Sequence, residues 1–147
     1  MSWIAKSFAQ LSTEELFAIY QLRTAVFVVE QQCAYQEVDH WDKSAVHFWQ
    51  EFDGKICAYC RIIPQDDGVH IGRVLVVQHA RGKGLAKALV QQALAYCQQH
   101  WTTQPVLIQA QTYLQDFYQS FGFQAISTEY LEDGIPHLDM EFTNHVY

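Results

Sequence analysis

Three observations predict the fold class of this 147-residue chain, a mixed α/β (α+β) domain. Strand-like segments are joined by Asp-Gly turns at residues 53–54 and 133–134, which favours antiparallel hairpins. Between them, a buried strand, an amphipathic helix and another buried strand follow in order, as in a parallel crossover. The chain is 50% hydrophobic and long enough to bury a core. We therefore predict one domain over residues 1–147, built on a mixed sheet with antiparallel ends.

The first helix is predicted by a capping pattern followed by helical spacing. Ser12 and Glu15 stand three residues apart, as in a capping box that closes a helix N-terminus. Leu16 and Ile19 then follow at helical intervals, so we predict a helix from about residue 13 to the mid-20s. The next segment, VFVVEQQCAYQEVDHWDKS, fits either a further helical turn or an irregular loop.

A β-hairpin and a central strand follow in the middle of the chain. The segments AVHFWQEF and KICAYCRIIP flank Asp53-Gly54, a strong hairpin signal. A second turn at residues 66–68 leads into VHIGRVLVV. The continuous apolar end of that segment is typical of a buried central strand.

The second half is predicted to alternate helix and strand before a closing hairpin. Leu85 and Leu89 belong to the apolar face of an amphipathic helix that runs from Gly84 to about residue 100. PVLIQAQ predicts a buried strand, and YLQDFYQSFGF predicts a helix that Gly122 ends. FQAISTEY and IPHLDMEF flank LEDG and predict the last hairpin.

Charge and composition exclude several classes of partner. The formal net charge is -7 and the sequence pI is about 5.3, so no Lys/Arg field favours nucleic acid. No 18-residue apolar run is present and the N-terminus lacks a signal-peptide pattern, so we expect a soluble cytoplasmic protein without a membrane partner. The acidic balance is compatible with a cationic substrate such as an amine.

The CAYC segment has the spacing of a redox or zinc motif but lies within a predicted strand. Side chains three residues apart in a strand point to opposite faces, so the thiols of Cys57 and Cys60 would diverge. No second C-x-x-C or matching His pair completes a zinc site. We therefore expect reduced, buried cysteines and no metal.

The stretch QHARGKGLAKALV joins the central strand to the amphipathic helix. The unpaired N–H groups of a helix N-terminus favour an anion, and Gly82 and Gly84 let the backbone approach one closely. Arg81 and Lys83 add positive charge. The Walker and dinucleotide motifs are absent, so these residues fit either an anion site or a plain strand–helix turn.

Four ordered motifs resemble one enzyme superfamily. Residues 81–86 fit the form [QR]-x-x-G-x-[GA] and resemble the pyrophosphate-binding motif of the GCN5-related N-acetyltransferase (GNAT) superfamily. QTYLQDFYQSFGF resembles its second motif, with departures at Gln111 and Leu114, where Asn and Ala are usual. LRTAVFVVEQQCAYQEVD and EDGIPHLDM narrow the resemblance to the ElaA-type branch. The resemblance implies the GNAT fold, a mixed, mostly antiparallel sheet flanked by helices.

The resemblance also implies transfer of an acetyl group from acetyl-CoA to a primary amine, by direct attack in a ternary complex. Tyr118 matches the family tyrosine near the CoA sulfur, where a phenol can protonate the departing thiolate. Its helical spacing fits core packing equally well. The cofactor-binding residues that the resemblance implies are Val74, Leu75, Val76, Arg81, Gly82, Lys83, Gly84, Leu85, Ala86, Gln111 and Phe117.

The base that takes the amine proton is open. Glu30 and His137 are the leading candidates because both lie in segments that match the family, and a histidine suits proton transfer near neutral pH. His70 or an ordered water would serve as well. Cys33, outside a predicted regular element, is the one candidate for a rival cysteine nucleophile.

Two functions of other classes also fit the sequence: a non-catalytic acyl-CoA-binding sensor or interaction domain, and a nucleotide-binding module. The acceptor, a small-molecule or peptide amine, is not specified. The final strands are suited to pairing across a homodimer.

Overall fold

One mixed sheet organises residues 3–143, which are the residues described by the computed structural model. Its strands run in the order β1-β2-β3-β4-β5-β8-β6, and β7 pairs with β8. They are β1 (Trp3–Ser7), β2 (Val46–Phe52), β3 (Lys55–Gln65), β4 (Gly68–Val76), β5 (Val106–Gln111), β6 (Gln124–Ala125), β7 (Tyr130–Glu132) and β8 (Ile135–Phe142). Every pairing is antiparallel except that of β4 with β5. The predicted mixed fold class is confirmed.

Helices cover both faces of this sheet. They are α1 (Thr13–Arg23), a π-helical continuation (Thr24–Glu30), α2 (Leu85–His100) and α3 (Gln115–Gln119). Short 3-10 turns span Phe8–Gln10, His40–Lys43, Gln78–Ala80 and Thr112–Leu114. The predicted capping box of α1 is confirmed: the Glu15 N–H donates to Ser12 Oγ at 3.0 Å, and the Ser12 N–H donates to Glu15 Oε1 at 2.9 Å. Within residues 3–143, no helix has the length and apolar character needed to cross a membrane.

The core is divided between the two faces of the sheet. Ile19 of α1 packs with Trp49 and Tyr59 on one face. Leu89 and the apolar face of α2 pack on the other. Cys57 belongs to the first cluster and Cys60 to the second, and both are free thiols. The prediction that the CAYC thiols diverge is therefore confirmed.

The sheet splits where β4 and β5 meet. These strands pair only at Val69 with Val106 and at His70 with Leu107, and then separate. On its other side β4 has a register shift against β3, and Arg73 has φ of +51°, a left-handed conformation that is uncommon for a residue other than glycine. The bulge and the missing pairing open a wedge between the C-terminal ends of the two strands.

Several elements differ from the predictions. Strand β1 was not predicted, because a five-residue edge strand depends on contacts with the neighbouring strand more than on its own sequence pattern. Trp3 of β1 stacks on Phe48 of β2, with ring centroids 5.5 Å apart. The ambiguous segment after α1 combines both alternatives, since it is π-helical to Glu30 and irregular beyond it. The predicted strand FQAISTEY forms only at its two ends, as β6 and the start of β7.

Candidate functional site

The wedge between β4 and β5 is the mouth of a cleft of about 740 Å³. Tyr118, Glu30 and His137, the three predicted catalytic residues, all line it. Seven of the predicted cofactor-binding residues line it as well: Val74, Leu75, Val76, Arg81, Ala86, Gln111 and Phe117. The other four, Gly82, Lys83, Gly84 and Leu85, lie in the turn between Arg81 and Ala86 that begins α2. After the roles expected from the sequence, we call residues 74–86 the donor side of the cleft and residues 30–43 the acceptor side.

The donor side ends in an open helix N-terminus. Gly82 and Gly84 have φ of +79° and +80°, and a Cβ built on either would meet no atom within 4 Å. Gly84 is the N-cap of the 16-residue α2, and the first α-helical bond runs from the Ala88 N–H to the Gly84 carbonyl at 3.1 Å. The N–H groups before Ala88 thus have no carbonyl partner within the helix, and the helix dipole adds partial positive charge. This arrangement suits an anion.

Arg81 joins the donor side to the acceptor side. Its Nη1 and Nη2 lie 2.8 and 3.0 Å from the two carboxylate oxygens of Glu30, and its Nε donates to the Val76 carbonyl at 2.9 Å. The hydrogen bonds from Arg81 hold the pKa of Glu30 below its usual value. Glu30 therefore faces the cleft as predicted, but as one half of an ion pair rather than as an unengaged base.

Tyr118 belongs to the core and also lines the cleft. Only 4% of it is exposed, and its ring packs edge-on against Phe117 and Phe123. Burial raises the pKa of Tyr118, so the phenol keeps its proton at neutral pH. Within residues 3–143 its hydroxyl has no hydrogen-bond partner. The ring thus belongs to the core, while the hydroxyl remains available to a ligand in the cleft.

The hydrogen bonds of His137 fix the tautomer of its ring. Its Nδ1 lies 2.7 Å from the Ile135 carbonyl, which can only accept a hydrogen bond. Nδ1 therefore carries the proton, and Nε2 is left as the ring's proton acceptor. His70, the third candidate, also lines the cleft, but its Nε2 lies 2.8 Å from Asp67 Oδ1. By the same argument, Nε2 of His70 donates to Asp67 and its Nδ1 is left as an acceptor, so these contacts leave both histidines as candidates for the base.

A buried ion network beneath the acceptor side was not predicted from the sequence. Arg23 is fully buried, with its Nε 2.8 Å from Glu37 Oε1 and its Nη2 3.1 Å from Asp42 Oδ2. Its Nη2 also donates to the Glu37 carbonyl at 3.1 Å. These bonds attach the irregular segment after Glu30 to the end of α1. The available signal was an arginine four residues after Ile19, on the apolar face of the helix.

Two more arginines extend the network to the cleft wall. Arg61 lies 2.8 Å from Asp39 and 3.1 Å from Asp42, and Arg73 lies 2.8 Å from Glu37. Together with Arg23, they balance the three carboxylates charge for charge. Arg23, Arg61, Glu37 and Asp42 are buried, so removing the partner of any of these four leaves an uncompensated buried charge.

A neutral histidine completes the network from β2. His47 is fully buried; its Nε2 lies 2.9 Å from the Asp42 carbonyl, and its Nδ1 lies 2.7 Å from the Tyr59 hydroxyl. Nε2 must donate to the carbonyl, so Nδ1 accepts from Tyr59. Burial lowers the pKa of His47, which favours this uncharged form.

Two contacts close the acceptor side over the cleft. Gln111 Nε2 donates to Gln31 Oε1 at 3.5 Å, from the end of β5 to the end of the π-helix. The Cys33 thiol lies 3.6 Å from the Asp133 carbonyl in the β7–β8 turn. Cys33 is outside any regular element, as predicted. Among the described residues, no group of three or more His, Cys, Asp or Glu side chains is placed to hold a metal ion.

Comparisons with known proteins agree with this geometry. The family model described as an acetyltransferase (GNAT) domain matches residues 9–144. The chain is 41% identical to the protein ElaA of Escherichia coli over 145 residues, 95% of either chain. A crystal structure of an acyl-CoA N-acyltransferase from Pseudomonas aeruginosa superposes with a TM-score of 0.93 at 43% identity, covering 97% of this chain and 99% of that one. The crystal structure of E. coli ElaA gives a TM-score of 0.91 at 41% identity, covering 96% and 98%.

The matches extend over nearly the whole chain and well beyond the short motifs. They include both the donor side and the acceptor side of the cleft. The resemblance that the motifs indicated is therefore confirmed, and with it an acyl-CoA-dependent acyl-transfer function. This chain belongs to the acetyltransferase (GNAT) family, in its ElaA-type branch.

Proposed function

We propose that this acyltransferase transfers an acetyl group from acetyl-CoA to a primary amine, by direct attack in a ternary complex. The observation that carries the proposal is the convergence of three features on one cleft. They are the open N-terminus of α2, the end of β4 that β5 leaves unpaired, and the hydroxyl of Tyr118, which has no hydrogen-bond partner within residues 3–143. An anion site, a binding strand and a proton donor are what a CoA thioester needs.

The donor side supplies the binding groups for acetyl-CoA. The pyrophosphate suits the open turn at Gly82–Gly84, where no Cβ blocks the approach and Lys83 adds charge. The pantetheine arm and the acetyl carbonyl suit the backbone of residues 74–76, because this part of β4 has no hydrogen-bonded partner in β5. The side chain of Leu75 stays in the core, so binding and packing use different groups of the same strand.

The transfer needs one bond formed, one broken and two proton movements. The amine nitrogen attacks the thioester carbon, and the carbon–sulfur bond breaks to release the CoA thiolate. Nε2 of His137 accepts the proton that the amine loses, and Tyr118 donates its proton to the thiolate. The acceptor is a small-molecule or peptide amine. It remains a prediction that the protein forms a homodimer and that it is located in the cytoplasm.

Replacing Tyr118 by Phe tests the proposal. We expect the rate of free-thiol release with an amine library to fall by about 10²-fold or more, because the thiolate loses its proton donor. The dissociation constant for acetyl-CoA should change by less than about twofold, since the buried ring is retained. Tyr113→Phe is the matched control, because Tyr113 also lines the cleft but is 77% exposed. Its rate should stay near that of the wild type.

Calorimetry and the thiol-release assay together distinguish the proposed function from the other two. A non-catalytic acyl-CoA sensor would bind acetyl-CoA in calorimetry and release no thiol with any amine. A nucleotide-binding module would bind ATP about as tightly as CoA. Equal thiol release by the wild type and the Tyr118→Phe variant would remove Tyr118 from the mechanism.

A further inference from the structure

We propose that Glu30 acts as an internal competitor for the donor's pyrophosphate at Arg81, so that donor binding releases the Glu30 carboxylate into the cleft. The inference rests on the proposed function and adds an order of substrate binding: acetyl-CoA binds first, and only then can the Glu30 carboxylate contact the acceptor. It derives from the position of one arginine, directly before the anion-binding turn and in a bidentate pair with a carboxylate from the opposite wall.

The geometry of Arg81 suits an exchange of partners. Its Nε is bound to the Val76 carbonyl, which fixes the guanidinium at the end of β4 whatever its other nitrogens contact. Both Nη atoms, by contrast, point to Glu30. The forked guanidinium fits carboxylate and phosphate oxygens equally well. A diphosphate group beside it therefore competes for the same two nitrogens while the anchor at Val76 remains.

The ion pair is weak enough to be displaced. The side chains of Arg81 and Glu30 are 39% and 43% exposed, unlike those of the buried network. Exposed ion pairs are screened by water and contribute little. Because a pyrophosphate carries more negative charge than one carboxylate and gains the α2 N-terminus as well, it is favoured at Arg81.

Release of Glu30 changes the acceptor side. Hydrogen bonds from Arg81 hold the pKa of Glu30 down, so loss of Arg81 raises that pKa toward its ordinary range. The freed carboxylate lies next to Gln31, which bridges to Gln111 across the cleft. Glu30 would then attract the ammonium form of an acceptor amine. In the absence of donor, the same carboxylate is neutralised by Arg81.

A double-mutant cycle tests the competition, with the acetyl-CoA dissociation constant measured by calorimetry. Glu30→Gln should bind acetyl-CoA about two- to fivefold more tightly than the wild type, because glutamine lacks the negative charge that competes with the pyrophosphate for Arg81. Arg81→Met should bind more weakly. In the Arg81→Met background, adding Glu30→Gln should change the affinity by less than about 1.5-fold. Glu132→Gln is the control, since Glu132 lines the same cleft without contacting Arg81.

Each outcome is informative. Unchanged or weaker binding of acetyl-CoA by Glu30→Gln would overturn the inference. Weaker binding would indicate that Glu30 instead positions Arg81 for the donor. The inference would also be overturned if Glu30→Gln increased the affinity equally in the wild type and in Arg81→Met, or if Glu132→Gln increased it as much. Either result would show a general repulsion between the cleft carboxylates and acetyl-CoA. No acetyl-CoA binding by the wild type would reject the proposed function, and the competition with it.

Discussion

The donor side and the acceptor side of the cleft are built in different ways. The donor side is a continuous run of residues that ends in an open helix N-terminus, and its glycines leave open space. The acceptor side is held by side chains from four separate segments: Arg23 of α1, the carboxylates of residues 37–42, Arg61 of β3 and Arg73 of β4. One is determined by local chain geometry, and the other by charges that meet only after folding.

This difference predicts unequal sensitivity to substitution. Changes at the donor-side glycines should alter ligand affinity at a modest cost in stability, since Gly82 and Gly84 face open space. Changes in the buried network should alter stability first, because each removal leaves an opposite charge buried without a partner. Four variants test the contrast, from the largest expected effect to the smallest.

Replacing Arg23 by Met should have the largest effect. The substitution leaves Asp42 and Glu37 buried without their main cation, which we expect to cost about 3–5 kcal/mol of unfolding free energy. Urea unfolding followed by tryptophan fluorescence measures the loss. Lys6→Met is the matched control, because Lys6 pairs with Glu15 on the surface and should cost less than about 1 kcal/mol. Equal losses in the two variants would contradict the contrast.

Replacing Gly84 by Ala should separate affinity from stability. The left-handed backbone at Gly84 should cost about 1–2 kcal/mol in stability, and the new methyl group should weaken acetyl-CoA binding about tenfold by intruding on the open turn. Gly54→Ala in the β2–β3 turn is the control, with φ of +75° and equally open space. It should cost similar stability and leave affinity unchanged. Unchanged affinity in Gly84→Ala would place the pyrophosphate elsewhere.

The buried histidine should make the network sensitive to mild acid. Because burial lowers the pKa of His47 in the folded state, the unfolded chain binds the proton first as the pH falls below about 6.5. The contribution of His47 is thus complete above that pH and declines below it, by at most about 1.4 kcal/mol per pH unit. Urea unfolding at pH 7 and pH 5.5 measures this decline.

His47→Gln should lose much of that pH dependence, because glutamine does not titrate. His100→Gln is the control, since His100 is exposed at the end of α2. It should keep the wild-type difference between the two pH values. A His47→Gln variant with the full wild-type pH dependence would show that another group titrates in this range.

Replacing Cys33 by Ala should have the smallest effect. Its thiol is a weak donor at 3.6 Å from the Asp133 carbonyl, so stability should change by less than about 0.5 kcal/mol. Thiol release should stay within about twofold of the wild type, because direct attack needs no cysteine nucleophile. A loss of 10²-fold or more would instead favour the rival covalent mechanism.

Local patterns were sufficient to predict most elements of the fold and the glycine turn that begins α2. Gly82 and Gly84 needed only their neighbours to identify a helix N-terminus, and the order of strands and helices indicated the mixed sheet. Short-range signals were insufficient for β1, which is defined by its pairing with β2. They were equally insufficient to predict the ion pair of Glu30, because its partner Arg81 is 51 residues away in the sequence.

The sequence by itself determined the order of strands and helices from α1 onward, the capping of α1 and the glycine turn of α2, because each depends on residues within a few positions of one another. Only the tertiary structure decided which charges are paired. Arg23 meets Asp42 and Arg81 meets Glu30 because the fold brings together segments that are distant in the chain. Tyr118 lines the cleft with a hydroxyl that no group of residues 3–143 hydrogen-bonds. Electrostatic partners are chosen by distance in space and burial, and spacing along the chain does not encode either.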